Sequence, residues 1–179
     1  MIVKEATLWL GYLEHITETN LEFFDVNIGK GGCTIFADII RRAYPWRNFM
    51  NLPWCTTFVH AVAIRAVGVT KARMLLGKPH PGSRVLARRM KRRGCLRGLE
   101  YTPCPGDLIF CHNGEGRISH CGIVECVMDD EVISIEGNTA DPTGHFPKNA
   151  GGVVARRRRK LTDNSIVNYG RISDAFLTS

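Results

Sequence analysis

The stretch "SHCGIVECVMDDEVISIEGNT", residues 119–139, sets two runs rich in Val and Ile on either side of an Asp pair. Branched apolar residues bounded by turn formers read as two antiparallel strands of a hairpin. The same chemistry extends outward to "CPGDLIFC" (104–111), "GGVVARRRRK" (151–160) and "SIVNYGRIS" (165–173). From residue 104 onward the chain is therefore strand and turn.

Upstream, the apolar period is helical. Residues 3–17 place Leu8, Trp9, Tyr12, Leu13 and Ile16 on one face. After the glycines at 29–32, "CTIFADIIRRAY" aligns Phe36, Ile39, Ile40 and Ala43. A third helix follows Pro53, with Phe58, Val59, Val62, Ala63, Ala66 and Val67 inward, and stops at Gly68. A fourth runs from Ser83, as N-cap, to about Arg93. Helices first and an antiparallel meander second predict an α+β domain, its helices packed on one face of the sheet. No linker divides the 179 residues, so one domain spanning 1–179 is expected.

The hairpin also carries chemistry. With Met128-Asp129-Asp130 as a three-residue loop, Gly122 stands opposite Glu136 and His120 opposite Asn138. His120, Glu136 and Asn138 then share a face, within direct or diagonal cross-strand reach. A two-residue loop would move the pair to the other face. A carboxylate or amide on one imidazole nitrogen fixes the tautomer and leaves the other nitrogen free for a thiol.

Cys55 is the thiol best placed to use it. If Pro53 opens the third helix, Cys55 lies in the first turn, where unpaired N–H groups and the helix dipole favour an anion. A nucleophilic cysteine also needs a base nearby, and His120 on a rigid strand can serve. The bland alternatives are an inert core thiol, a solvated Glu136, and a Gly137-Asn138 turn with no chemical role. Zinc is a competing chemistry, because Cys104, Cys111, His112, His120, Cys121 and Cys126 crowd one stretch. Their spacings contain no C-x2-C knuckle, so no metal site is expected.

Four ordered pieces, "PWCTTFV" (53–59), "PGDLIF" (105–110), "SHCGIV" (119–124) and "IEGNT" (135–139), resemble CHAP-type cysteine amidases and peptidases of peptidoglycan. "LGYLEHITETNLEFFDVNIGKGG" (10–32) and "VNYGRI" (167–172) resemble flanking segments of phage-type endolysins in this papain-like, NlpC-related group. The resemblance implies a papain-like fold with Cys55 as nucleophile, His120 as general base and acid, Glu136 orienting the imidazole, and Asn138 supporting the site. It further implies Trp54 and Ser119 as substrate-contacting residues. Some relatives bind calcium before the nucleophile, but "RRAYPWRNFMN" (41–51) has no carboxylate, so neither metal nor other cofactor is expected.

The formal charge is +7, from 24 basic and 17 acidic residues, which favours an anionic partner. "RRMKRR" (88–93) and "ARRRRK" (155–160) lack interleaved aromatics for base stacking, so nucleic acid is not the expected partner. Bacterial peptidoglycan and anionic wall polymers suit the family resemblance as partners, and the protein itself is expected to be a monomer. Seven cysteines and no secretory signal predict reduced thiols and a chain made in the cytoplasm, reaching the wall by release or another export route. No apolar run is long enough to span a membrane. The expected activity is cleavage of a peptidoglycan amide, either muramoyl-L-alanine or a stem or cross-bridge peptide bond. The alternatives are a papain-like toxin or effector acting on another amide, and a non-catalytic basic wall- or nucleic-acid-binding protein.

Overall fold

Strand β3 (Ile118–Met128) lies at the middle of a six-stranded sheet and is paired along most of its length. The computed structural model describes residues 1–112, 114, 116–146 and 151–172. Ser173, the end of the last expected strand, lies outside them. The sheet contains β1 (Leu96–Arg97), β2 (Leu108–His112), β3, β4 (Glu131–Thr139), β5 (Val153–Lys160) and β6 (Ile166–Gly170). Their spatial order is β1-β6-β2-β3-β4-β5, and every pairing is antiparallel. With four helices preceding it, the chain is an α+β fold. Strands β2 to β5 form the expected meander. Strand β6 instead returns across it to pair with β2, and the short β1 beyond it was not foreseen.

Helix α1 is only Ile2–Thr7, against the 3–17 expected from apolar spacing. Gly11 takes a left-handed φ of 85°, and the chain then runs extended beside β5. Gly11 N–H donates to the Val154 carbonyl, Val154 N–H to the Tyr12 carbonyl, and Glu14 N–H to the Gly152 carbonyl. The apolar residues 12 and 13 are buried as expected, but by edge pairing rather than by a helical stripe.

Helix α2 (Ile35–Ala43) is capped by Thr34, whose Oγ1 accepts from Ala37 N–H at 3.1 Å. Helix α3 (Cys55–Leu76) breaks at Gly68, where φ is 81° and ψ is 163°. The expected stop at Gly68 is therefore a kink, after which a further helical segment runs to Leu76. Helix α4 (Ser83–Arg92) begins one residue earlier than expected, with Gly82 rather than Ser83 as N-cap.

The first nine residues of α3, Cys55 to Ala63, are all buried, because this turn is sandwiched between α2 and the sheet. Phe36 of α2 stacks on Trp54 at 5.5 Å and meets Phe58 edge-on at 5.0 Å. Such pairs add roughly 0.5–1.5 kcal/mol each beyond their buried area. On the sheet side, a Cβ at Gly137 would lie 2.6 Å from the Phe58 Cβ and 2.7 Å from the Trp54 ring. Glycine at 137 is what lets α3 seat on β4. A side chain there would push the start of α3, and Cys55 with it, away from the sheet.

The opposite face of the sheet carries a second apolar layer of Ile109, Cys111, Val124, Val132, Ile166 and Tyr169. Cross-strand pairing of Cys111 with His120 places the histidine on this second face.

Candidate active site

The hairpin turn has two residues, not three: Met128 pairs with Glu131 across Asp129-Asp130. With straight pairing, this turn would have sent His120 and Glu136 to opposite sides of the sheet. A β-bulge in β3 absorbs the difference. Cys126 pairs with Ile133, but Val124 pairs with Ser134 and Ile123 with Ile135, leaving Glu125 as the extra residue. One bulge residue cancels one missing loop residue. Beyond it, Gly122 and Glu136 come opposite each other, as the three-residue loop would have had them. A Cβ on Gly122 would lie 2.5 Å from the Glu136 Cγ, so glycine leaves the carboxylate its space.

His120 Nε2 and Glu136 Oε2 are 2.8 Å apart. Glu136 is fully buried and also accepts from Ser134 Oγ at 2.6 Å and from the two terminal guanidinium nitrogens of Arg159, Nη1 and Nη2. Burial alone would raise its pKa. The hydrogen bonds and charges of His120 and Arg159 outweigh burial and hold it down at about 2. The carboxylate is ionised at any physiological pH and fixes the ring.

With Nε2 committed to Glu136, Nδ1 is left for Cys55, and each of the two groups shifts the other's pKa toward its charged form. Burial pulls the His120 pKa down, but bonds to Cys55 and Glu136 more than reverse this and push it up to about 9. For Cys55, the hydrogen bond from Cys121 is the largest influence and lowers the thiol pKa; burial opposes it, and His120 lowers it further. The net direction is far below the ordinary thiol value. Trp54, the N-cap, supplies no side-chain cap, so the first-turn N–H groups of α3 also face the sulfur's end of the helix. Both directions favour a thiolate–imidazolium pair.

Cys121 was not singled out in the sequence as part of the site. It is fully buried beside Cys55, and its Sγ lies 3.4 Å from Thr56 Oγ1, which is itself 3.9 Å from Cys55 Sγ. Its own pKa is raised, chiefly by the bond to Cys55, so it stays a thiol and donates. Two consequences can be measured. Iodoacetamide should modify Cys55 faster than the other buried thiols, Cys33, Cys111 and Cys121, at pH 7, by peptide mapping. In Cys121→Ala, which removes the donor, the pH at which Cys55 becomes reactive should move up.

Arg159 is the second residue the sequence did not pick out. Its side chain is only 13% exposed and clamps Glu136. The 156–160 run is therefore not one uniform charged face. Strand alternation splits it: Arg156 pairs outward with Glu125 and Arg158 with Glu131, while Arg159 turns toward the site. The available signal was parity. Arg159 pairs with Val132, and Val132, Ser134 and Glu136 share one face of β4.

The remaining expected residues divide. Ser119 is exposed and lines a cleft with His120, Glu136 and Asn138. Asn138 sits at a bulge of β4 against β5 with φ 55°, a conformation Asn tolerates better than most residues. It lines the cleft, and among the described residues it makes no hydrogen bond to His120. The "EGNT" segment is thus a bulged strand end, not a turn. Trp54 needs correction. Its ring is 1% exposed, packed on Phe36 and donating Nε1–H to Glu14 at 2.8 Å, so it offers a substrate no surface.

Of the zinc candidates, Cys111 and Cys121 face opposite sides of the sheet, in the two separate apolar layers. No group of three or more potential ligands converges among the described residues. Nor is any helix among them long and apolar enough to cross a membrane.

No protein-family model and no curated protein matches the chain. Among solved structures it is similar to the one titled "The crystal structure of Ly7917", with a TM-score of 0.49 and 11% identity, over 94% of this chain and 59% of that chain.

Proposed function

We propose that the protein is a cysteine-dependent amide hydrolase of peptidoglycan, a papain-like catalyst of the CHAP type. The observation that carries the chemistry is the hydrogen bond from His120 to the buried, ionised Glu136, with Cys55 near enough to His120 for each to shift the other's pKa. The choice of peptidoglycan rests on the resemblance of four ordered motifs and their flanks.

The Cys55 thiolate adds to the carbonyl carbon of the scissile amide. His120, charged at rest, gives its Nδ1 proton to the departing amine as the carbon–nitrogen bond breaks, leaving a thioester on Cys55. Water then attacks that thioester, His120 takes its proton, and the carboxylic acid leaves with the thiolate restored. Glu136 stays ionised throughout, holding the ring and stabilising its charged form. The buried start of α3 and the seat at Gly137 keep sulfur and ring in register.

Incubating purified sacculi with wild type and with Cys55→Ala, and identifying released ends by mass spectrometry, tests the reading. New amine and carboxyl ends with wild type alone are expected, and they name the bond. Intact sacculi and intact soluble muropeptides with wild type would refute it.

A further inference from the structure

The cleft beside His120 has a volume of about 500 Å³, and the basic run of β5 forms one of its walls. Four of that run's five cations have carboxylate partners. Arg156 is paired with Glu125, Arg158 with Glu131, Arg159 with Glu136, and Lys160 more loosely with Asp130 at 3.9 Å. Arg157 is different. Among the described residues it has no carboxylate partner, and its side chain donates one long hydrogen bond, to the Ala140 carbonyl at 3.5 Å.

Its position is set by pairing. Arg157 stands opposite Ser134, and Ser134 donates to Glu136, so Arg157 shares the sheet face that carries the candidate catalytic carboxylate. It lines the cleft with Ser119, His120 and Asn138. The remaining carboxylate there, Asp163, accepts from Ser165 N–H at 2.7 Å. A half-buried guanidinium without a partner, in the cleft that holds the general acid, presents a planar fork of donors to whatever enters. Carboxylates match that fork in two-point geometry.

We propose that Arg157 is a specificity-determining residue that binds a free carboxylate of the substrate, close to the amide that is cleaved. This deepens, and for the identity of the substrate rests on, the peptidoglycan reading above. Stem peptides carry carboxylates on glutamyl and diamino-acid residues and at their C-terminus, and many of these also occur as amides. The enzyme should then prefer stems whose carboxylate near the scissile bond is free.

Binding and cleavage can be scored apart. Cys55→Ala protein is titrated calorimetrically with soluble muropeptides, and with the same muropeptides after their carboxylates are converted to primary amides. The free acids should bind at least about tenfold more tightly, the scale of one charge-assisted bidentate contact. Adding Arg157→Gln should erase that difference by weakening the acids alone, while Arg157→Lys should keep part of it. Arg88→Gln, which removes the same charge from α4, should leave it intact. Equal affinity for acid and amide, no binding of either, or an equal loss for both in Arg157→Gln would overturn the proposal. Cleavage of the same muropeptides by wild type is read separately. Its absence refutes the hydrolase reading, while an Arg157-dependent acid preference in binding would still assign the carboxylate site.

Discussion

Cys55→Ser and His120→Ala should each reduce hydrolysis by on the order of 10³-fold or more, with the fold retained. The serine variant is the sharper test. It keeps nearly the same volume at a 3% exposed position, so the packing of α3 on β4 is undisturbed. What changes is the acid. Cys121 and His120 lower the thiol pKa and favour the anion, whereas a hydroxyl in the same place stays protonated. The ion pair also predicts the pH profile. As pH rises through the depressed Cys55 value the thiolate forms, and as it rises through about 9 the imidazolium proton is lost. The profile of kcat/KM should be bell-shaped with a basic limb near pH 9. Because the two groups interact, both limbs belong to the pair. Circular dichroism and thermal melting alongside the kinetics separate lost chemistry from lost structure. Near wild-type turnover by Cys55→Ser would sink the nucleophile assignment.

Replacing Glu136 by Gln should lower turnover by roughly 10²–10⁴-fold, the range seen where an orienting carboxylate behind a histidine is neutralised. The amide keeps the shape but not the charge. Without that charge the imidazolium is less favoured, so the basic limb should move down from about 9. Arg159 would also lose its counter-charge at a largely buried position. Truncation to Ala would cost roughly 3–5 kcal/mol by stranding that guanidinium, so Gln is the informative change. Stability should follow the same two groups. Glu136, depressed from 4.5 to about 2, stabilises the fold fully above its unfolded value, and this is lost as pH falls toward 2. His120, raised from 6.5 to about 9, stabilises it fully below 6.5, and this is lost as pH rises through 9. Denaturant midpoints in Glu136→Gln should therefore vary less with pH at both ends. An unchanged basic limb in this variant would mean that Glu136 does not set the histidine's charge.

The α+β class, five of the six strands and the helix that begins at Cys55 were legible in the sequence, because each depends on local pattern. Periodicity of 2 or 3.6, a proline at a helix start and glycines at its breaks act within a few residues of themselves. Cys55, His120 and Glu136 were legible too, as residue types that need each other. What local pattern could not reach was everything set by a partner far along the chain. The segment after Thr7 has a helical stripe, yet the edge of β5, about 145 residues later, draws it into an extended strip. The hairpin shows the limit most clearly. Side-chain direction alternates with every residue, so a turn one residue shorter than expected would have separated His120 from Glu136. A bulge at Glu125, for which no local motif stands out, put them back together. Arg159 was hidden inside a charge run for the same reason. Sequence shows four arginines in a row, but only cross-strand pairing decides which of them meet solvent carboxylates, which one holds Glu136, and which one is left facing the cleft.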